Sequence, residues 1–402
     1  TERYQAVMID FRQNRARCID ALAGGLAVLT AYDEVQGSGD EPAPFQQESN
    51  FWWLSGIERP GWKLIIDGLR GRTTLVRPHL DAVQQTFVGE LSSEEAKRIS
   101  GADAVIDAHD FEAELRQLAK RHTVVYEVND RTDYGFMLNP ASRDLNKVLQ
   151  RIFPSVQSCL RQLRELRAIK QPEEIAALRQ AIALTIEAFE VAKQRLPHCQ
   201  HEYECEAEFD YLFRRHNARH AYSPIVASGA NACTLHYSHN AGPLAAENMV
   251  LIDVGARVNG YCADITRTYG IKPTQRQQDV HTAVVQAQQH IIELLEPNLP
   301  VADYIQQSDD IMRDALQQLG LLRDRHDQAT FRRYYPHATS HGLGVDTHDS
   351  LGAPRVLRAG MVLTVEPGIY IPEEGIGVRI EDDILITPSG HDNLSASLST
   401  KW

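Results

Sequence analysis

Short apolar runs alternate with amphipathic stretches through the first third of the chain. The apolar runs have the length and β-branched content of strands, and the stretches between them have helical spacing. The strand-like runs are LAVLTAY, KLIIDGL, TTLVRP and HTVVYEV, and the helix-like stretches include SSEEAKRI and DFEAELRQLAKR. This alternation predicts an α/β domain, which we place at residues 1–158.

A long basic and amphipathic run, QLRELRAIKQPEEIAALRQAIALTIEAFEVAKQRL, follows this first domain. Pro172 suits the first position of a helix, because its missing N–H group has no partner to lose there. Glu173 and Glu174 favour the positive end of the helix dipole. The run therefore predicts the opening helices of a second domain, residues 159–402.

The segment VLIDVGARVNGYCADITRTYG predicts a β-hairpin, because Asn259-Gly260 between two β-rich runs is typical of a two-residue type I′ turn. Counting back from the turn pairs Asp253 with Thr266. The carboxylates of Asp253 and Asp264 then lie on one face of the hairpin and converge. Two acids aimed at one point repel each other unless a cation or a proton lies between them. A one-residue bulge is the alternative, and it places the two acids on opposite faces.

Three later segments carry further metal-ligand chemistry. YYPHATSHGLGVDTHD holds His337, His341 and His348, MVLTVEPGIYIP places Glu366 at the end of an apolar strand, and GIGVRIEDDILIT places Glu381 inside another. A buried glutamate is costly unless it is paired or bound to a metal. Two Asp, two Glu and one His form an oxygen-rich ligand set that suits a pair of divalent ions such as manganese, cobalt or zinc. Asp382 and Asp383, next to Glu381, are expected to face solvent.

Composition supports a soluble intracellular enzyme. The chain has 402 residues, 43% of them hydrophobic, which is enough for two domains with their own cores. A net charge of -13 without a Lys/Arg-rich run argues against nucleic acid as a partner. The longest apolar runs are too short to span a membrane, and the first residues do not resemble a signal peptide. Six cysteines without a CxxC pair indicate reduced thiols and a cytoplasmic location.

The strings SGANACTLHYSHN, LIDVGA, ADITRTY, PHATSHGLGVDTHD, LTVEPGIY and VRIEDDILIT resemble the "pita-bread" metallopeptidases, and among them prolidase and aminopeptidase P most closely. QQESNFWWLSGIERPGWKLIIDG resembles the N-terminal domain of the same enzymes. The resemblance implies an α/β N-terminal domain followed by an α+β pita-bread (creatinase/aminopeptidase-like) catalytic domain.

The resemblance also implies a metal site and roles for its residues. It implies two divalent metal ions, with Mn²⁺ the first expectation and Co²⁺ or Zn²⁺ as alternatives. Two such ions lower the pKa of bound water and polarise the scissile carbonyl, which favours hydrolysis. Glu366 is also expected to act as the general base. The five implied ligands are Asp253, Asp264, His341, Glu366 and Glu381.

Residues around these ligands receive roles from the same motifs. His236 and His348 match the family's two substrate-facing histidines, which are expected to stabilise the tetrahedral intermediate. His337 is expected beside the metal ligands or as a proton shuttle. Arg379 is expected to support a metal-bound acid, with an ion pair to Asp382 or Asp383 as the alternative. Thr266 and Tyr370 are expected to donate hydrogen bonds near the ligands, or only to pack beside them.

The predicted function is hydrolysis of the Xaa-Pro bond by a proline dipeptidase. The alternatives are aminopeptidase P, which releases the N-terminal residue from longer peptides with proline in second position, and a catalytically inactive binding protein. Gly352 stands where many prolidases carry an arginine that grips the dipeptide carboxylate, so Arg355 or a side chain from a partner subunit is predicted to replace it. Trp52 and Trp53 are expected in the core, and a homodimer is expected from the resemblance.

Overall fold

The computed structural model describes residues 7–128 and 139–401. The chain divides into two compact units inside the helix Leu160–Ala168, one unit being Ile9–Leu166 and the other beginning at Arg167. The boundary predicted from the sequence, between residues 158 and 159, lies a few residues earlier. No helix in the described part of the chain is both long and apolar enough to cross a membrane.

The first unit is built around one mixed sheet. Its helices are α1 (Phe11–Ala21), α2 (Ser49–Ser55), α3 (Ala82–Val88), α4 (Ser93–Ser100), α5 (Phe111–Leu118), α6 (Pro140–Ile152) and α7 (Leu160–Ala168). Its strands are β1 (Leu26–Thr30), β2 (Gln36–Ser38), β3 (Glu41–Pro42), β4 (Lys63–Asp67), β5 (Arg72–Arg77), β6 (Ala104–Asp107), β7 (Val124–Glu127) and β8 (Ser155–Ser158). The predicted α/β class of this domain is confirmed.

Six strands of this unit pair in the order β6-β5-β4-β1-β7-β8. Strand β1 lies inside the sheet and every one of its residues is buried, which is why its sequence is apolar without alternation. Val28 and Ile65 pack against Leu115 of α5 and Leu149 of α6. The helices therefore cover the sheet through apolar faces, as the pattern of their sequences predicts.

The second unit carries the residues singled out above. Its helices are α8 (Pro172–Arg195), α9 (Glu202–Arg215), α10 (Gln275–Glu293), α11 (Val301–Gln318) and α12 (Gln328–Tyr334). Its strands are β9 (Arg219–His220), β10 (Ile225–Ser228), β11 (Met249–Val254), β12 (Ala256–Val258), β13 (Tyr261–Cys262), β14 (Ile265–Gly270), β15 (Val362–Val365), β16 (Gly368–Ile371), β17 (Ile376–Arg379), β18 (Asp382–Thr387) and β19 (Gly390–Asn393).

Two apolar cores support the sheets of this unit. Helices α8 and α9 share a core with β11 and β14, in which Phe189 and Phe209 contact each other edge to face. Helices α10, α11 and α12 share a second core with β15 to β18. The two sheets join where Thr266 of β14 pairs with Glu381. The polar side chains of these two residues also meet at the junction, where the Thr266 hydroxyl lies 2.6 Å from the Glu381 carboxylate.

The opening of α8 follows the sequence prediction. Pro172 is the first helical residue, and Glu173 and Glu174 lie in the first turn. The Glu174 carboxylate also accepts a hydrogen bond from the backbone N–H of Gln171, at 2.7 Å. The helix start is therefore stabilised by its own sequence.

The hairpin has the predicted register. Asn259 and Gly260 have φ of 51° and 81°, the positive values that a type I′ turn requires. Val258 pairs with Tyr261, and Asp253 pairs with Thr266. No bulge shifts the pairing between these two points, so the alternative of opposite faces is wrong.

Two glutamates lie at ends of strands. Glu366 directly follows β15, as predicted. Glu381 is not inside a strand, which corrects the prediction: it lies in the break between β17 and β18. The break exists because the chain leaves the pair β16-β17 there and enters the sheet β15-β18-β19. Glu381 is nevertheless almost fully buried.

Candidate active site

Asp253 and Asp264 converge on a single hydroxyl group. Both carboxylates are buried, Asp253 on β11 and Asp264 just before β14. The Tyr222 hydroxyl lies 2.5 Å from an oxygen of Asp253 and 2.6 Å from an oxygen of Asp264. One hydroxyl proton serves one acceptor at a time. The geometry therefore shows two carboxylates aimed at one point, with a single hydroxyl proton between them.

His341 and two glutamates complete the cluster. His341 Nε2 lies 3.4 Å from Asp264 and 3.3 Å from Glu366. Ligand atoms of Asp264, His341 and Glu381 lie within 4.8 Å of one another. His341 Nδ1 donates to the carbonyl of Gly342 at 3.0 Å, which leaves Nε2 to face the acids. The structure thus brings the five predicted ligands to one place.

The electrostatics of the cluster fit a cation. Burial, followed by the charge of Asp264, holds the pKa of Glu381 well above its usual value, and its Oε1 has no hydrogen-bond partner in the described structure. Burial likewise raises the pKa of Asp253, and it raises that of Glu366 to about 7. Burial lowers the pKa of His341, but Asp264 outweighs this effect and brings it to about 9. These shifts reflect negative charge held without compensation, and the oxygen-rich donor set suits divalent metal ions.

Arg379 supports the acids from behind. Its guanidinium donates to Asp253 at 2.5 Å, to Tyr370 at 2.9 Å and to Thr266 at 3.2 Å. Thr266 in turn donates its hydroxyl proton to Glu381, at 2.6 Å. Arg379 therefore fixes Asp253 directly and Glu381 through one hydroxyl. The alternative of an ion pair with the aspartates after Glu381 is wrong.

The tautomer of His337 follows from its neighbours. Tyr370 accepts from Arg379, so its own proton is available to Nε2 of His337, which lies 2.9 Å away. Nδ1 of His337 lies 2.8 Å from the carbonyl of Ala338, to which it donates. Burial and the charge of Arg379 lower the pKa of His337 to about 4. His337 is therefore neutral, and it is linked to the metal ligands through Tyr370 and Arg379.

The two remaining histidines are exposed at the edge of the cluster. The His348 ring lies 4.2 Å from the His341 ring, between centroids. Partial burial and the neighbouring His341 lower the pKa of His348, and His236 contributes in the same direction. His236 lies on the loop between β10 and β11 and is accessible to solvent. Both side chains are thus available for contact with a bound molecule.

The two aspartates after Glu381 do not face solvent, which corrects the sequence prediction. Asp382 is buried and pairs with the buried Arg267 at 2.7 Å. Asp383 is fully buried and accepts a hydrogen bond from the backbone N–H of Asp264 at 3.2 Å. Strand β18 is covered on both faces, so alternation along the strand does not expose either residue.

Tyr222 was not predicted from the sequence. It lies in the short connection after β9, and a single tyrosine in such a segment is typical of ordinary packing. Gly255 carries the only local signal, because a Cβ there would lie 3.0 Å from the Tyr222 ring and 1.8 Å from the carbonyl oxygen of Ala263. A glycine beside the first aspartate indicates close approach of another group, but it does not identify that group.

Buried carboxylates that converge with a histidine give this unit a candidate site for divalent metal ions. Residues 176–388 match the family model of metallopeptidase family M24, and residues 11–126 match the N-terminal domain of aminopeptidase P. The chain belongs to the M24 metallopeptidases. The predicted N-terminal domain and pita-bread catalytic domain are thereby confirmed.

Two curated relatives match almost the whole chain. The Xaa-Pro aminopeptidase of Escherichia coli is 33% identical over 98% of this chain and 95% of its own length. The Xaa-Pro aminopeptidase of Haemophilus influenzae is 34% identical over 97% of this chain and 94% of its own length. A solved structure of E. coli aminopeptidase P with the inhibitor Pro-Leu is similar at a TM-score of 0.86 and 32% identity, covering 97% of this chain and 96% of that one.

Proposed function

We propose that this enzyme hydrolyses the Xaa-Pro bond and releases the N-terminal residue from peptides with proline in second position, using two divalent metal ions. The observation that carries the proposal is the convergence of Asp253, Asp264, His341, Glu366 and Glu381 in a buried and under-neutralised cluster. Relatives that span nearly the whole chain are Xaa-Pro aminopeptidases. They support the aminopeptidase alternative better than the dipeptidase that the sequence motifs favoured.

The side chains of the cluster would hold the ions, with manganese the first metal to test. Bound there, divalent ions supply Lewis acidity that polarises the scissile carbonyl and makes water a better nucleophile. Glu366 would accept the proton from the attacking water, because its carboxylate is partly exposed and lies beside the other ligand candidates, 3.3 Å from Nε2 of His341. Without metal ions, burial raises the pKa of Glu366 to about 7. Bound cations would lower this pKa, so that the carboxylate is ionised and can accept a proton.

The exposed histidines bind the substrate. His348 lies beside His341, and both His236 and His348 reach solvent at the open side of the ligands. Imidazole N–H groups there donate hydrogen bonds to the oxygen on which negative charge develops as the peptide bond is attacked. Burial and the charge of Arg379 keep His337 neutral, and the hydrogen bond with Tyr370 fixes its ring, so that it orients groups near the cluster without adding charge.

The position of Gly352 supports activity on peptides longer than two residues. Gly352 has φ of 74°, a conformation that disfavours any residue with a Cβ, so an arginine at this position would be strained. The sequence prediction named Arg355 as a substitute cation, and this side chain is exposed to solvent. Neither of these two positions therefore supplies a buried cation for the proline carboxylate. Without such a cation, a site does not reject a proline that continues into a further residue.

The test is hydrolysis of Ala-Pro, Ala-Pro-Ala and a longer Xaa-Pro peptide by the metal-free protein with and without added Mn²⁺. We expect manganese-dependent release of the N-terminal residue from the two longer peptides, with kcat/KM at least comparable to that for Ala-Pro. A preference of about tenfold or more for Ala-Pro would instead indicate the dipeptidase. Absence of cleavage with Mn²⁺, Co²⁺ and Zn²⁺ alike would overturn the peptidase proposal. The homodimer and the cytoplasmic location stay predictions from the sequence.

A further inference from the structure

Glu202 is a buried carboxylate outside the cluster of metal ligands. It is the first residue of α9, and its side chain is inaccessible to solvent. An ionised carboxylate at such a depth requires strong compensation. The helix N-terminus supplies part of it, because the dipole of a 14-residue helix is positive at this end.

Four donors from a single segment supply the rest. One oxygen of Glu202 accepts from the backbone N–H of Ser228 at 2.7 Å and from the Asn231 side chain at 2.9 Å. The other accepts from the Tyr237 hydroxyl at 2.8 Å and from the backbone N–H of Gly242 at 2.6 Å. A carboxylate has about four lone-pair sites, so its capacity is filled. All four donors are neutral, and all come from residues 228–242, which we call the His236 loop.

The His236 loop is shaped to fit this carboxylate. A Cβ at Gly242 would lie 2.9 Å from both oxygens of Glu202 and 2.6 Å from Asn231, so only glycine allows the approach. The backbone N–H of Glu202 donates to the carbonyl of Gly242 at 3.0 Å, which makes the contact reciprocal. Asn240 ties the same loop to its surroundings with two hydrogen bonds. Its side chain accepts from the backbone N–H of Val226 at 2.9 Å and donates to the carboxylate of Glu206 on α9.

The loop connects Glu202 with the cluster. His236 lies between Leu235 and Tyr237, and these two flanking side chains pack against the apolar group that contains Tyr370. Tyr237 is also one of the four donors to Glu202. The Glu202 carboxylate therefore binds the loop on both sides of His236, at Ser228 and Asn231 before it and at Tyr237 and Gly242 after it.

We propose that Glu202 is a positioning residue, which holds the His236 loop in the conformation that brings His236 to the substrate. The inference rests on the proposed function, because it gives His236 a contact with the substrate. Glu202 itself has no free lone pair, is buried and touches none of the five metal-ligand candidates by hydrogen bond. It acts on turnover only through the loop.

The first measurement is Glu202→Gln with Glu208→Gln as the matched control on the same helix. The amide nitrogen of glutamine faces two donors whichever way it is turned, so two hydrogen bonds are lost. Glu208 makes a surface pair with Arg195 at 3.1 Å and contributes little. We expect faster hydrogen–deuterium exchange of residues 228–242 in Glu202→Gln and not in Glu208→Gln. The metal content of Glu202→Gln should be unchanged, and its kcat on Ala-Pro-Ala should fall on the order of 100-fold.

The second measurement separates positioning from general stability. In a His236→Ala background, Glu202→Gln should cause almost no further loss of kcat, because the group it positions is already absent. Additive losses would show that Glu202 acts elsewhere and would overturn the proposal. Wild-type turnover in Glu202→Gln, with a loosened loop, would overturn it as well.

A milder variant covers the case in which Glu202→Gln does not fold. Tyr237→Phe removes one of the four donors and keeps the carboxylate. We therefore expect a smaller increase in hydrogen–deuterium exchange of the loop and a smaller loss of kcat, which should again be non-additive with His236→Ala. Wild-type exchange and wild-type turnover in Tyr237→Phe would then count against the proposal. If the wild-type protein cleaves no Xaa-Pro peptide, the proposed function fails, whereas the exchange data still decide whether Glu202 holds the loop.

Discussion

Replacing Glu381 by glutamine is expected to make the metal-free protein more stable while it removes metal binding. Glu381 is buried beside Asp264, and their ligand atoms lie no more than 4.8 Å apart. Two negative charges at that distance repel by about 3 kcal/mol at an effective dielectric constant of about 20. Glutamine keeps the size of the side chain and removes this repulsion. The metal-free protein therefore gains up to about 3 kcal/mol in its free energy of unfolding at neutral pH.

The effect has a defined pH window. The pKa of Glu381 in the folded protein is raised, so its destabilising effect is absent below about pH 4.5, the ordinary glutamate value, and grows as the pH rises above it. The gain from Glu381→Gln is therefore expected at pH 7 and not at pH 4.5. Chemical denaturation of chelator-treated protein at both values measures it, and calorimetric titration with Mn²⁺ measures the loss of binding.

Asp382, the residue after Glu381, provides a control, because its replacement is expected to lower the stability of the protein instead of raising it. Burial raises the pKa of Asp382, but its contacts with Arg267, Asn393 and Gln288 outweigh burial and hold the pKa below its usual value. Asp382→Asn leaves the buried Arg267 without its partner and is expected to cost about 3–5 kcal/mol. Equal destabilisation by both substitutions, or a Glu381→Gln protein that keeps its full metal load, would refute the reasoning that Glu381 is held under repulsion for a cation.

Three further predictions concern the same cluster. Asp264→Asn should abolish activity and lower bound metal, measured by elemental analysis, while circular dichroism stays native. His341→Ala should lose metal, whereas His236→Ala and His348→Ala should keep it and lose turnover by about 100- to 1000-fold; equal metal loss in all three would contradict the division of roles. The pKa is raised to about 7 for Glu366 and to about 9 for His341, so proton binding by these two groups stabilises the metal-free protein below about pH 5. This stabilisation is lost as the pH rises through those values. The melting temperature of the metal-free protein should therefore fall between pH 5 and 9 more steeply than that of the metal-loaded protein.

Local signals in the sequence were sufficient for the hairpin. The Asn259-Gly260 turn dictates its own conformation, and the period of two along the strands then fixes which residues pair, so Asp253 opposite Thr266 follows from counting. The start of α8 is equally local, because Pro172 and the acids after it stabilise that end without help from the rest of the chain. Such features are predictable because their causes lie within a few residues of one another.

Features that depend on distant contacts were not predictable in the same way. Asp382 and Asp383 look like a charged strand end in the sequence. Their burial depends on contacts with Arg267 and with the backbone N–H of Asp264, both more than a hundred residues earlier in the chain. Tyr222 contacts carboxylates that lie 31 and 42 residues further along the chain, which is also beyond the reach of local sequence signals. The motif resemblance predicted the ligands and some supporting groups, Arg379 and Thr266 among them, but it gave no role to Tyr222 and did not predict the burial of Asp382 and Asp383.

The distribution of arginines shows why a pair of ions suits this site better than one. Arg267 neutralises Asp382, which lies away from the ligands, and Arg379 neutralises Asp253 on one oxygen only. No lysine or arginine pairs with Asp264, Glu366 or Glu381 in the described part of the chain. With all four ligand carboxylates ionised and Arg379 counted against them, three negative charges remain. One divalent ion leaves the cluster negative, whereas two make it slightly positive, which favours the developing negative charge on a substrate oxygen. Arg267 thus compensates the buried Asp382, whereas Asp264, Glu366 and Glu381 face one another without an arginine or lysine partner in the described residues.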